Sequence, residues 1–213
     1  MSAESPIVID LYTDLSCPYC FLGRSRLLNA VEKLKVPVKI IYHAYFIDPN
    51  IPQFGVDLHT YYADHPDGHH WIEDLKKDAL KDALYYRKWK TWNNTFNAQR
   101  LVKYVQRKKA EALPTLVDCL LYKEFEEGKN LSLLSDLKEI AEECGVADIT
   151  KFIESEKLKQ EVIDEDKYAK ETLKITTVPY FIINGKTVIQ GAENPSVFLE
   201  ALANAKEEQT TQQ

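Results

Sequence analysis

Hydrophobic and polar positions fall into three regimes along the chain. Residues 7–14, Ile-Val-Ile-Asp-Leu-Tyr-Thr-Asp, are apolar and β-branched, which predicts a buried strand. Pro18 then predicts the first turn of a helix, where its missing N–H costs nothing. Cys20, Leu27, Val31 and Leu34 share one face of that helix, and Pro37 marks its end. Residues 38–47 read as a second strand, so the order is a βαβ unit.

Pro49, Pro52 and Gly55 predict a loop over 48–57. From about residue 58 to 174 almost everything reads helical. Leu116, Val117, Leu120, Leu121 and Phe125 make one face, with Gly128 as its stop. Ser132 is expected to cap a helix with Leu133, Leu137, Ile140 and Cys144 inward, ended by Gly145. Asp148 is expected to cap the next, with Ile149, Phe152 and Ile153 inward. Strand patterning returns at Val178 to Ile183, and Asn184-Gly185 predicts a two-residue hairpin turn before a strand from Thr187 to Gln190. Gly191 breaks that strand. Asn194 and Pro195 open a last helix with Phe198, Leu202 and Ala205 inward, and the polar tail from Glu207 is expected to fray. Neither end alone holds enough strands for a stable sheet. The reading is therefore an α/β domain made of 1–57 and 175–213, with 58–174 inserted as a helical domain.

Composition narrows the function. The chain has 213 residues, is 45% hydrophobic and carries a net charge of −6, so it can bury a core without staples. The acidic balance argues against a nucleic-acid binder. No apolar run approaches the length of a membrane span. Met1 to Pro6 is short and polar, with no signal-peptide pattern, so a cytoplasmic location is expected.

Cysteine spacing carries the chemistry. Cys17-Pro18-Tyr19-Cys20 lies where a strand passes into a helix. The helix N-terminus offers unpaired N–H groups and a partial positive charge that stabilise a thiolate. A free thiol titrates near ~8.5 and falls to roughly 3.5–7.5 in such motifs. Cys17 is thus expected to be the exposed, acidic nucleophile, with Cys20 facing the core and resolving a mixed disulfide. Two alternatives stand beside this: half of a zinc site, or a purely structural pair. Zinc needs two more ligands at short spacing. Cys119 and Cys144, 25 apart on apolar helix faces, read instead as core thiols. No metal is expected.

The strand, the CxxC helix, the helical insert, Thr177-Val178-Pro179, the hairpin and the final helix together resemble thioredoxin-fold proteins of the DsbA family. The resemblance is closest to the FrnE-like branch. It rests on Asp14-Leu15-Ser16-Cys17-Pro18-Tyr19-Cys20-Phe21-Leu22-Gly23, on Asn94 to Leu101, and on Ile189-Gln190-Gly191-Ala192 before Asn194-Pro195. It spans roughly residues 7–205. The same fold occurs in kappa-class glutathione transferases and 2-hydroxychromene-2-carboxylate isomerases, which generally use a single serine or lack the second cysteine. The resemblance implies a thioredoxin fold with a large α-helical insertion. It also implies thiol–disulfide exchange at Cys17 and Cys20, and a cis peptide before Pro179 lying against the dithiol; an ordinary trans edge proline is the alternative. Pro18, Tyr19 and Val178 would shape the substrate site. No bound cofactor is implied, but glutathione is a candidate co-substrate. Protein or small-molecule thiols and disulfides are the implied partners, and the oligomeric state is left open. A glutathione-dependent transferase or isomerase, or a non-catalytic binding module, are the rival readings. Leu11 stands where several thioredoxin-fold enzymes carry a buried acid, so that position supplies no proton acceptor. Gln99 stands where a histidine is common.

Other features have two readings each. Asp14 is either a proton relay or a turn residue. The aromatic run Tyr85, Tyr86, Trp89, Trp92 and Phe96 is either the wall of a substrate groove or interdomain core. In the groove reading Trp92, Asn94 and Phe96 bind substrate, with Arg100 nearby. His65, His69 and His70 flank a turn and are either a metal site or exposed loop residues. Lys76-Lys77, Arg107 to Lys109, and Glu124-Glu126-Glu127 read as solvated helix faces.

Overall fold

The computed structural model describes residues 5–63 and 70–211. A four-stranded sheet is assembled from both ends of the chain. Strands β1 (Ile7–Thr13) and β2 (Val38–Ala44) run parallel, with Ile9 beside Ile40. They flank helix α1 (Pro18–Leu34), as the βαβ reading predicts. Because β1 and β2 alone cannot close a core, β1 takes its second partner from residues far along the chain. The short strands β3 (Val56–Asp57) and β4 (Thr91–Trp92) form a separate two-stranded ribbon, which the sequence reading missed.

Helices α2 (Leu58–Ala63), α3 (His70–Ala79), α4 (Phe96–Lys108), α5 (Leu113–Tyr122), α6 (Leu134–Glu143), α7 (Ile149–Glu154) and α8 (Lys159–Lys167) fill most of the middle segment. Strand β5 (Tyr180–Ile183) then pairs antiparallel with β1, placing Leu11 beside Phe181, and β6 (Thr187–Gln190) completes the sheet order β2-β1-β5-β6. Helix α9 (Pro195–Thr211) packs against α1, and its Phe198 meets Phe181 edge-on at 5.1 Å.

Local chemistry explains most boundaries. Lys35 in the left-handed region ends α1, two residues before Pro37. Asn184 and Gly185 both have positive φ and make the hairpin turn, but the ladder closes at Ile183 and Thr187, leaving Lys186 as one extra residue. Some expectations fail. Ser132 does not cap α6; its hydroxyl accepts instead from the Asn94 N–H at 2.8 Å. Asp148 has positive φ and makes no side-chain cap. The tail is helical to Thr211, so Glu207 to Thr211 belong to α9.

The largest departures lie in the helical segment. Residues 83–95 are not helical, so the aromatic run is not one helix face. Lys123–Glu127 form a π turn continuing α5, and it buries Glu124 and Glu126, which the sequence reading had left in solvent. Arg26, itself buried, ties the segment to α1 through Asp78 and Asp82, both at 2.8 Å.

Candidate active site

Cys17 stands between β1 and α1. Its backbone is extended, at φ −86° and ψ 114°, and Pro18 occupies the first helical position. The Cys17 carbonyl accepts from the N–H groups of Cys20 at 3.0 Å and Phe21 at 3.3 Å, which closes the turn around the dithiol. Tyr86 braces it from outside, its hydroxyl donating to the Pro18 carbonyl at 2.8 Å. Both cysteines are free thiols.

The Val178–Pro179 peptide is cis. It meets the dithiol across 161 positions of sequence, with the Cys17 Sγ 4.0 Å from the Val178 carbonyl oxygen. Pro179 approaches α1 at Gly23, where a Cβ would lie 2.6 Å from its Cγ. The glycine is what lets the proline loop close on the helix.

Cys17 is only 4% exposed and Cys20 1%, which corrects the expectation of a freely exposed nucleophile. Residues 176–178 and the helical segment cover the motif. What remains is a cavity of about 320 Å³ lined by Cys17, Pro18, Tyr19, Val178 and aromatic side chains. Cys20 does not reach it. Burial pushes the Cys20 thiol well above its ordinary range, and the adjacent Cys17 sulfur acts in the same direction. Cys20 therefore rests as a thiol behind a partner that faces the cavity.

Of the aromatic run, only Trp92 lines this cavity. Tyr45, Tyr62 and Trp71 supply the rest of its rings, and Trp71 stacks on Tyr19 at 5.8 Å. Trp89 lies behind, against Trp92 and Phe125. Asn94 and Phe96 line a second cavity of about 300 Å³ beside Asp14, Asp48 and Asp166. A helix would have put Trp92 and Phe96 on one face; the strand at 91–92 turns them apart. Asn94 joins loops, donating to the Ile51 carbonyl at 2.8 Å. Arg100 is fully buried and spends its guanidinium on the carbonyls of Phe152, Ile153, Ser155 and Lys157. It is a structural residue at the end of α7, away from the cleft role expected of it.

Asp14 takes the turn role. Its carboxylate accepts from Ser16 N–H at 3.1 Å, Ile47 N–H at 2.8 Å and the Thr95 hydroxyl at 2.8 Å, pinning three segments together. Burial nevertheless raises its pKa. Gln99 donates to the Thr13 carbonyl at 2.7 Å and fixes the end of β1. Cys119 and Cys144 neighbour one another; burial raises the Cys144 thiol to about 12, and the Cys119 thiol beside it adds to that rise. His70 is exposed on α3, while His65 and His69 lie outside the described residues. No group of three or more His, Cys, Asp or Glu side chains among the described residues is placed to hold a metal.

Sequence reasoning missed three buried polar residues next to the motif. The Ser16 hydroxyl accepts from the Asn93 N–H at 2.8 Å and donates to Glu124 at 3.0 Å, and the Asn93 side chain donates to the same carboxyl oxygen at 2.7 Å. Glu124 lies three and four positions after Leu121 and Leu120, so helical spacing places it on the buried face of α5, and only its charge made it read as a solvated residue.

Known proteins share this fold. The uncharacterised protein YwbO of Bacillus subtilis is 24% identical, over 92% of this chain and 96% of its own. Among solved structures, a probable DsbA oxidoreductase from Streptomyces coelicolor superposes with a TM-score of 0.83 at 21% identity, covering 95% of this chain and 91% of that one. A 2-hydroxychromene-2-carboxylate isomerase superposes with a TM-score of 0.73 at 16% identity, covering 97% and 99%. Residues 8–203 match the model of the DSBA-like thioredoxin domain, and with that match across almost the whole chain the protein belongs to this family.

Proposed function

We propose that this protein is a thiol–disulfide oxidoreductase whose working pair is Cys17 and Cys20. The observation that supports it best is the division of labour between the thiols: Cys17 faces a cavity, and Cys20 is sealed behind it. The Cys17 thiolate attacks one sulfur of a substrate disulfide. A bond forms between those two sulfurs, the substrate S–S bond breaks, and the departing sulfur takes a proton. Cys20, once deprotonated, attacks the Cys17 sulfur and releases the second substrate thiol. The substrate gains two electrons, the protein keeps the Cys17–Cys20 disulfide, and an external thiol such as glutathione restores the dithiol. The Val178 carbonyl, 4.0 Å from the Cys17 Sγ in a residue that lines the same cavity, would offer an acceptor for a substrate backbone N–H.

The aromatic lining suits an apolar stretch of a protein or an apolar small disulfide, since large rings bury area at low entropic cost. A cytoplasmic setting belongs to the same proposal, and there the working direction is reduction or isomerisation. The test is redox cycling of the purified chain in glutathione buffers, with the Cys17–Cys20 disulfide followed by mass spectrometry. Cys20→Ser should accumulate a mixed disulfide at Cys17, and Cys17→Ser should accumulate none. Glutathione conjugation without any such cycling would turn the reading to a transferase or isomerase.

A further inference from the structure

The dithiol has a carboxyl beneath it that does not come from the sheet. The π turn at Lys123–Glu127 aims Glu124 at the junction between β1 and α1. π turns inside helices frequently mark functional positions. Glu124 is 1% exposed. Its Oε1 accepts from the Ser16 hydroxyl and the Asn93 amide, and Ser16 directly precedes Cys17. Its Oε2 is buried without a hydrogen-bond partner, and so is Asn93 Oδ1. Two neighbouring residues thus each hold a buried acceptor in need of a donor, an arrangement that costs free energy unless a proton is added. A protonated Glu124 has an O–H to give; an ionised one has none.

The titratable groups that face Glu124 are Asp14 and Cys17, both of which disfavour its charge. Burial is the larger cause, and together they raise its pKa well above the ordinary carboxyl value. The charged neighbours on its own turn are engaged elsewhere: Lys123 with Glu127 and Glu143, and Glu126 with Arg87. Among the described residues no cation pairs with Glu124.

We propose that Glu124 is a positioning residue for the Cys17 thiol: a carboxyl from the helical segment that, in its neutral form, favours the Cys17 thiolate and, in its charged form, disfavours it. The coupling is reciprocal, because two like charges in one buried site oppose each other. A neutral Glu124 leaves room for the Cys17 charge and keeps its hydrogen bonds to Ser16 and Asn93. An ionised Glu124 adds a second negative charge to the same buried site and works against the thiolate. This rests on the reading of Cys17 as the attacking thiol.

The test measures Cys17 alone. In a Cys20→Ser, Cys119→Ser, Cys144→Ser background, the rate of Cys17 alkylation by iodoacetamide is followed against pH, with Glu124 and with Glu124→Gln. Gln keeps an acceptor for Ser16 and Asn93 and replaces the unpartnered Oε2 with a neutral N–H donor. With Glu124 present the profile should show two ionisations. With Gln it should show one, and on the alkaline side of the Glu124 ionisation the rate should be roughly three- to tenfold higher, the effect of half to one pKa unit. Superimposable profiles overturn the assignment. If Glu124→Gln does not fold, infrared spectroscopy of the wild-type chain serves instead. The protonated carboxyl band should then persist to higher pH than in Cys17→Ser, and identical titrations overturn the proposal. Neither readout requires disulfide exchange. A chain that alkylates as expected but never cycles refutes the oxidoreductase reading, while equal profiles in a chain that cycles refute only the role of Glu124.

Discussion

Gly23 and Pro179 meet face to face across 156 positions of sequence, so closely that a Cβ on the glycine would lie 2.6 Å from the proline Cγ and 3.2 Å from the Ala192 backbone. This contact seats the Val178 carbonyl beside Cys17. Gly23→Ala sets two effects against each other. Alanine in a helix interior gains up to about 1 kcal/mol of propensity over glycine. Overpacking against a rigid ring and backbone costs about 1–3 kcal/mol. The second should win, with a fall of about 2–6 °C in Tm for a domain of this size, and mixed-disulfide formation at Cys17 should slow. A thermal melt and a peptide-disulfide assay read both. An unchanged or raised Tm would show that the proline loop gives way freely.

The wall of the cavity predicts a split between rings. Trp71 is half-buried, stacks on Tyr19 and lines the cavity; Phe96 lines the other one. With an apolar peptide disulfide as substrate, Trp71→Ala should raise KM about two- to tenfold, the loss of 0.5–1.5 kcal/mol of ring contact. Phe96→Leu should leave KM where it was. Equal effects of the two variants would place the substrate elsewhere.

Arg100 predicts a purely structural outcome. Its buried guanidinium serves carbonyls of 152–157 and the Asn97 side chain. Arg100→Met leaves those carbonyls without their donor and should cost several kcal/mol, about 3–5 if the burial is not refilled by water. The exchange rate per folded molecule should not change. Urea titration beside an activity assay separates the two, and a normal stability with lost exchange would restore Arg100 to the cleft.

Much of this fold was readable before the structure because its signals are local. Pro18 after a β-branched run, Gly128 and Gly145 after apolar helix faces, and Asn184-Gly185 between alternating segments each fix a backbone conformation within a few residues. The dithiol and its proline were readable as well, since they lie in short motifs. The rest was hidden by long-range choices. Trp92 and Phe96 look like helix neighbours, and only pairing with Val56 pulls Trp92 into a strand. Tyr62 and Trp71 reach the cavity through the placement of α2 and α3, which no spacing encodes. Glu124, Glu126 and Glu127 look like one solvated face by their charge, although Glu124 shares helical spacing with Leu120 and Leu121, and the structure buries the first two and exposes the third.

Glu124 also predicts how stability varies with pH. Its folded-state pKa is raised, chiefly by burial. In the unfolded chain it titrates near 4.5, the ordinary value. Below that pH both states carry the proton and its burial as a neutral acid is fully favourable. As pH rises above it, the unfolded chain releases the proton while the folded chain still holds it. Folded protein then binds more protons than unfolded, so stability falls with rising pH, and the loss continues until the folded-state pKa is passed. Glu124→Gln removes this titration and keeps the acceptor for Ser16 and Asn93. The variant should therefore match the wild type most closely in Tm near pH 4 and pull ahead of it toward pH 8, after correction for titrations common to both chains. Differential scanning calorimetry across that range checks it. A Tm difference that stays constant with pH, or shrinks as pH rises, would mean that Glu124 is charged in the folded protein, with a partner that the Ser16–Asn93 network does not reveal.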